Sequence, residues 1–244
     1  MKKSIQSVIK KNLASIALLS FELLVVLILF ILALILFTVM AYGVFKLQYQ
    51  QFDFVVFDKI SPLVSDRMTR FIQVITFFGN HKFLIPANLV LIIYFLFIKK
   101  HRWYSIKVPV VALGGVLLMF LLKAIFNRPR PLIPLLAPVK GLSFPSGHAM
   151  MSMSFYGLLI YLVWENVRSR TAKWVLTVFL FLFILAIGFS RIYLRLHYFS
   201  DVIAGFAAGI IWLTLSVWIV GRFERFSKRK LDPIVEENKA MQPQ

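Results

Sequence analysis

The sequence predicts an all-α fold: a polytopic membrane protein with six transmembrane helices in a single bundle. Three observations carry that expectation. The chain is 60% hydrophobic with a mean hydropathy of +0.82, too apolar for a soluble domain whose surface must be wetted. Six stretches run without a charge, and a bilayer core about 30 Å thick takes about 20 helical residues. The basic residues favour alternate connections between those stretches, the pattern that orients a multi-pass chain.

The first span is Leu23–Phe45. The amino end before it, MKKSIQSVIKK and an apolar run from Ile16 broken only by Glu22, lacks a short apolar region followed by a small-residue cleavage site. It reads as an uncleaved helix, with Glu22 snorkelling near the inner end. The next spans are Phe83–Ile98, Val108–Leu122, Ala149–Trp164, Trp174–Phe189 and Val202–Val220. Several are shorter than 20 residues, so their polar ends must snorkel or sit in protein-lined cavities. Met150, Met151 and Met153 read as packing residues. Gly205 and Gly209 form a small-residue face suited to close packing within a bundle.

Charge placement sets the orientation. The amino tail (Lys2, Lys3, Lys10, Lys11), Lys99–Lys107, Glu165–Lys173 and the basic tail 221–244 hold 17 of the 28 basic residues and are assigned to the cytoplasm, with both termini. The net charge of +18 is thereby explained without nucleic acid, and GRFERFSKRK (Gly221–Lys230) reads as an anchor on anionic lipid. Trp103, Trp164 and Trp174 form an inner interfacial belt, while His81 and His101 read as solvated. No cysteine is present, so disulfides and thiolate metal sites are excluded. With no repeat or long hydrophilic linker, residues 1–244 form one membrane domain.

Three connections then face outward: Lys46–Lys82, Lys123–His148 and Ser190–Asp201. Helix parity alone brings the last two to one face. Together they carry Lys123, Arg128, Arg130, Lys140, Arg191 and Arg195 against a single acid, Asp201. Such an excess of cations at a membrane surface calls for an anion, and phosphate suits both the lysine point charge and the planar arginine fork. In Phe144-Pro145-Ser146-Gly147-His148-Ala149 the Gly147 and His148 amides open an apolar helix at its positive end. Ser146 either donates to the anion or caps the helix. A cap explains Ser146 and Gly147 but not His148. His197 and Asp201 share one helical face, where the acid can fix the imidazole tautomer and leave the other nitrogen free as nucleophile or base.

Lys123 with six residues before Arg130-Pro131, then Pro145-Ser146-Gly147-His148, then Ser190-Arg191 with five residues before His197 and three more before Asp201, resembles the three-part signature of the type 2 phosphatidic acid phosphatase superfamily. All spacings are intact. Arg128-Pro129 fails the spacing, so the motif falls on Arg130. The resemblance implies that His197 attacks phosphorus and forms a phosphohistidine, with Asp201 orienting it. It makes His148 the general acid for the leaving oxygen and then the base for water. Lys123, Arg130, Ser146, Gly147 and Arg191 would bind the phosphoryl oxygens. This division suits phosphoryl transfer, which rests on positioning and charge stabilisation. The family also holds soluble haloperoxidases, which six spans rule out.

The expected activity is a metal-independent membrane lipid phosphatase acting at the outer face on a phosphomonoester or diphosphate of a lipid: undecaprenyl pyrophosphate, phosphatidylglycerol phosphate or phosphatidate. No metal and no cofactor is expected, since the outer connections carry no pair of carboxylates beside a histidine. The partners are the lipid substrate and the bilayer. A phosphotransferase of the same fold, with an alcohol in place of water, is the near alternative. An anion channel is the distant one, because its charges would spread through the midplane. Apolar Leu132–Pro138 and Gln51–Phe57 are expected to line a lipid entrance.

Overall fold

The structure, a computed structural model, describes residues 2–47, 50–136 and 140–231, with the helical backbone alone for 2–22, 50 and 230–231. The side chain of Glu22 and part of the 132–138 segment lie outside the described residues, as does the tail beyond residue 231. Among the described residues the elements are α1 (Lys2–Phe45), α2 (Gln50–Ile60), α3 (Asp66–Phe77), α4 (His81–Ile93), α5 (Arg102–Phe126), α6 (Gly147–Asn166), α7 (Arg170–Tyr193) and α8 (Phe199–Phe226). Short 3₁₀ or π turns follow α2, α4 and α8.

Every expected span falls within helix. Among the described residues five helical stretches are long and apolar enough to cross a bilayer: Leu23–Phe45, Asp66–Ile98, Arg102–Phe126, Arg170–Tyr193 and Phe199–Arg229. The expected span Ala149–Trp164 lies in α6, whose 20 residues are long enough but less apolar. Its position explains why. It packs against α5, α7 and α8, burying Ala149, Met150, Ser152, Met153, Ser154 and Phe155, so it needs little lipid-facing surface. The methionines are core residues, as expected.

The glycines of α8 set the closest approach. A Cβ on Gly205 would stand 2.7 Å from the Ser146 carbonyl oxygen, and one on Gly209 would stand 2.7 Å from Met153 Cβ. Any side chain there would push α6 and α8 apart.

Between α3 and α4 the chain breaks at Gly79, where Asn80 caps α4 by accepting from the Lys82 amide at 3.0 Å. A Cβ on Gly79 would lie 2.6 Å from Ile187, 2.9 Å from Ser152 and 3.2 Å from the His148 ring. The break therefore presses on α6 and α7 directly behind His148. The short helix α2 is two-faced: Phe57 is buried and stacks on Tyr198, while Phe52, Phe54 and Val55 are exposed.

At the opposite end of the bundle, two readings change. His101 is not simply solvated; its Nδ1 accepts from the Tyr104 amide and its ring stacks on Tyr104, capping α5. Lys107 does not reach for the interface, because it is buried, pairs with Glu224 at 3.2 Å and donates to the Tyr161 hydroxyl. A buried ammonium without such partners would be costly.

Candidate active site

Two left-handed residues build the site. Asn127 (φ 45°) ends α5, its amide donating to the Lys123 carbonyl, and turns the chain toward Arg128 and Arg130. Arg195 (φ 53°) ends the turn after α7, and the Leu196 and His197 amides then both donate to the Arg191 carbonyl. The Ser146 amide donates to the Asp201 carbonyl at 2.9 Å. This bond ties the start of α6 to the start of α8, at the level where Gly205 permits contact.

His197 lies at the centre, 1% exposed. Arg130 Nη1 is 3.2 Å from His197 Nε2 and also donates to the Leu196 carbonyl. A guanidinium cannot accept a hydrogen bond, so this contact requires Nε2 to carry a lone pair and Nδ1 to carry the proton. Nδ1 faces Asp201 Oδ2 at 3.5 Å and Ser143 Oγ at 3.4 Å. Burial pushes the imidazole from its ordinary 6.5 down to about 3, with Arg130 and Arg191 adding to the fall against the pull of Asp201. At neutral pH His197 is therefore an uncharged base with its free nitrogen beside a cation.

The other expected residues converge on it. Lys123 donates to the Leu142 carbonyl at 2.6 Å and lies within electrostatic reach of Arg130, Arg191 and Asp201. Arg191 is buried and donates to Thr76 Oγ1 at 2.7 Å, but its Nε has no partner in the protein. His148 feels Arg191, His197 and Arg130, and its Nε2 is buried without a protein partner. The Ser146 hydroxyl is likewise buried and unpaired, and it does not cap α6. That removes the capping explanation and leaves a donor for an oxyanion. Gly147 begins α6, where a Cβ would fall 2.6 Å from Met119 Sδ, so a larger residue would displace that flexible side chain.

The spacing argument passes over part of the site. Arg128, excluded from the motif, is 5% exposed and holds Asp201 Oδ1 at 2.6 Å through Nη1 and Asp53 Oδ2 at 2.8 Å through Nη2. Its guanidinium lies 4.0 Å from the Tyr198 ring centroid. Asp53, on α2, is fully buried and also accepts from the Ser200 amide and hydroxyl. Ser143 donates a short hydrogen bond to Asp201 Oδ2, which also accepts from the Tyr198 amide. Asp201 thus does more than face His197: it caps α8 and anchors a buried chain of charge that ends on α2. One signal for Asp53 was present, a lone acid between Phe52 and Phe54; nothing in the spacing joins it to Arg128. Among the described residues no three His, Cys, Asp or Glu side chains cluster as metal ligands.

The sequence pattern of the PAP2 superfamily matches residues 104–225, half the chain. The chain belongs to the PAP2 superfamily. Phosphatidylglycerophosphatase B of Bacillus subtilis (strain 168) is 29% identical over 170 residues, which span 69% of this chain and 81% of that protein. The crystal structure of the first transmembrane PAP2 type phosphatidylglycerolphosphate phosphatase from B. subtilis superposes with a TM-score of 0.72 at 23% identity, covering 82% of this chain and 98% of that one. At that identity the likeness is one of fold, and it is the fold of a multi-pass membrane protein. Aquifex aeolicus LpxE has a TM-score of 0.53 at 28% identity, over 68% of this PAP2 chain and 94% of its own.

Proposed function

We propose that this PAP2 lipid phosphatase hydrolyses a lipid phosphomonoester or diphosphate at the outer membrane face through a phosphohistidine on His197, without a metal. The observation that carries the reading is the Arg130 contact to His197 Nε2 with Asp201 at the opposite nitrogen. An unprotonated Nε2 beside a guanidinium suits attack on a phosphorus whose oxygens that guanidinium binds. In the first step the Nε2–P bond forms, the bond from phosphorus to the leaving oxygen breaks, and His148 supplies that oxygen with a proton. In the second, His148 takes a proton from water, whose oxygen attacks phosphorus and releases His197. Lys123, Arg130, Arg191, the Ser146 hydroxyl and the Gly147 amide hold the phosphoryl oxygens and spread the transition-state charge. Asp201 keeps the proton on Nδ1.

Undecaprenyl pyrophosphate, phosphatidylglycerol phosphate and phosphatidate all suit this chemistry, and the likeness to B. subtilis phosphatidylglycerophosphatase B supports the second. A panel of the three, offered to purified protein, tests the reading. Phosphate release from at least one should survive EDTA and be inhibited by vanadate. Loss on chelation, restored by magnesium, would remove the metal-free mechanism.

Orientation is tested separately. Cysteine introduced at Lys140 should react with an impermeant maleimide in intact cells, and one at Arg170 only after permeabilisation. The reverse labelling would put the site on the cytoplasmic side.

A further inference from the structure

We propose that Arg195 binds a second phosphate of the substrate, so that lipids carrying a diphosphate are preferred over monophosphates with the same tail. This rests on the reading above and adds a specificity residue to it. A cavity of about 500 Å³ is lined by both Arg130 and Arg195 and walled by Pro131, Leu132, Pro134 and Leu196. Arg130, whose Nη1 lies 3.2 Å from His197 Nε2 and donates to the Leu196 carbonyl, is shared between this cavity and the site, and Arg195 is the cavity's other cation. Leu132, 95% exposed, gives the cavity an apolar rim suited to a lipid tail.

Two further facts single out Arg195. Its φ of 53° lies in the left-handed region, where a side chain strains an L-residue and glycine is free of that strain. The turn alone asks only for glycine, so the backbone gives no reason for an arginine. In addition, its Nη2 donates to Ser61 Oγ at 2.7 Å, and among the described residues no carboxylate pairs with it. Two arginines on one apolar-walled cavity, neither facing a counter-charge there, match an anion with one phosphoryl group at His197 and the next at Arg195.

The step balances simply. His197 Nε2 bonds to the terminal phosphorus and the bridging P–O bond breaks. Its electron pair passes to the oxygen of the departing lipid monophosphate, whose growing charge Arg195 meets.

The test compares farnesyl diphosphate with farnesyl monophosphate, two substrates with one tail, on the purified full-length enzyme. Arg195→Gly, which suits the left-handed backbone, should lower kcat/KM for the diphosphate by about 10- to 100-fold, as expected for one charge-assisted contact. The monophosphate should change by less than about threefold, the spread expected of a contact it does not make. Arg195→Lys, which keeps the charge without the fork, should fall between and carries the test if the glycine variant does not fold. Equal losses on both substrates, or none on either, would overturn the proposal and leave the phosphatase reading standing. A wild-type enzyme that releases phosphate from neither would overturn both.

Discussion

Replacing His197 with alanine is expected to abolish turnover of every substrate and to leave no phosphoenzyme to trap. In the proposed mechanism this side chain supplies the bond to phosphorus, and the cations that surround it cannot replace that bond. On the proposed roles His148→Ala removes proton transfer only, a contribution of roughly 10²- to 10⁴-fold. Its first-step defect should shrink on p-nitrophenyl phosphate, whose leaving oxygen needs little protonation. Phosphoenzyme should accumulate in this variant, because the water then lacks its base. Rapid acid-free quenching with labelled substrate separates the two histidines. Label retained in His197→Ala and absent in His148→Ala would exchange their roles.

Arg128→Leu is expected to be the most damaging change outside the residues proposed to act on phosphate. It leaves Asp53 and Asp201, both fully buried, without their shared cation, and breaking a buried pair in this way costs about 3–5 kcal/mol. It also frees the carboxylate that faces His197 Nδ1, so activity should fall along with stability. Asp53→Asn keeps Arg128 on Asp201 and should lose much less of both. The comparison is read from thermal midpoints in detergent and from kcat on one lipid phosphate. An Arg128→Leu protein as stable and active as wild type would show that the charge chain on α2 holds nothing in place.

Why Arg128 escaped a reading of the sequence is instructive. Lys123, Arg130, His148, Arg191, His197 and Asp201 were legible because helix parity and local spacing bring their segments to one face. Asp53 meets Arg128 across 75 residues, through a short helix whose packing no periodicity reveals. Arg128 is buried on two carboxylates where Arg130 is not, and that burial is a property of the fold. The same limit applies at the opposite end of the bundle, where Lys107 belongs to a basic stretch of sequence and meets Glu224 only in the fold. The apolar runs, by contrast, foretold the five described stretches that are long and apolar enough to cross a bilayer, since bilayer thickness fixes their length. Only α6 blurred that signal, its hydropathy lowered by His148, Ser152 and Ser154.

That polarity bears on how the protein is made. A helix enters the bilayer from the translocon according to its own apolar character, and α6 is a weak candidate by that measure beside α5 and α7. It becomes stable once α5, α7 and α8 enclose it, because its hydroxyls and imidazole then face protein instead of hydrocarbon. If α6 spans the bilayer, as its 20 residues allow, its integration is expected to be complete only when later helices have emerged from the ribosome. Substitutions that make α6 more oily would ease its insertion and strip the site it was built to carry.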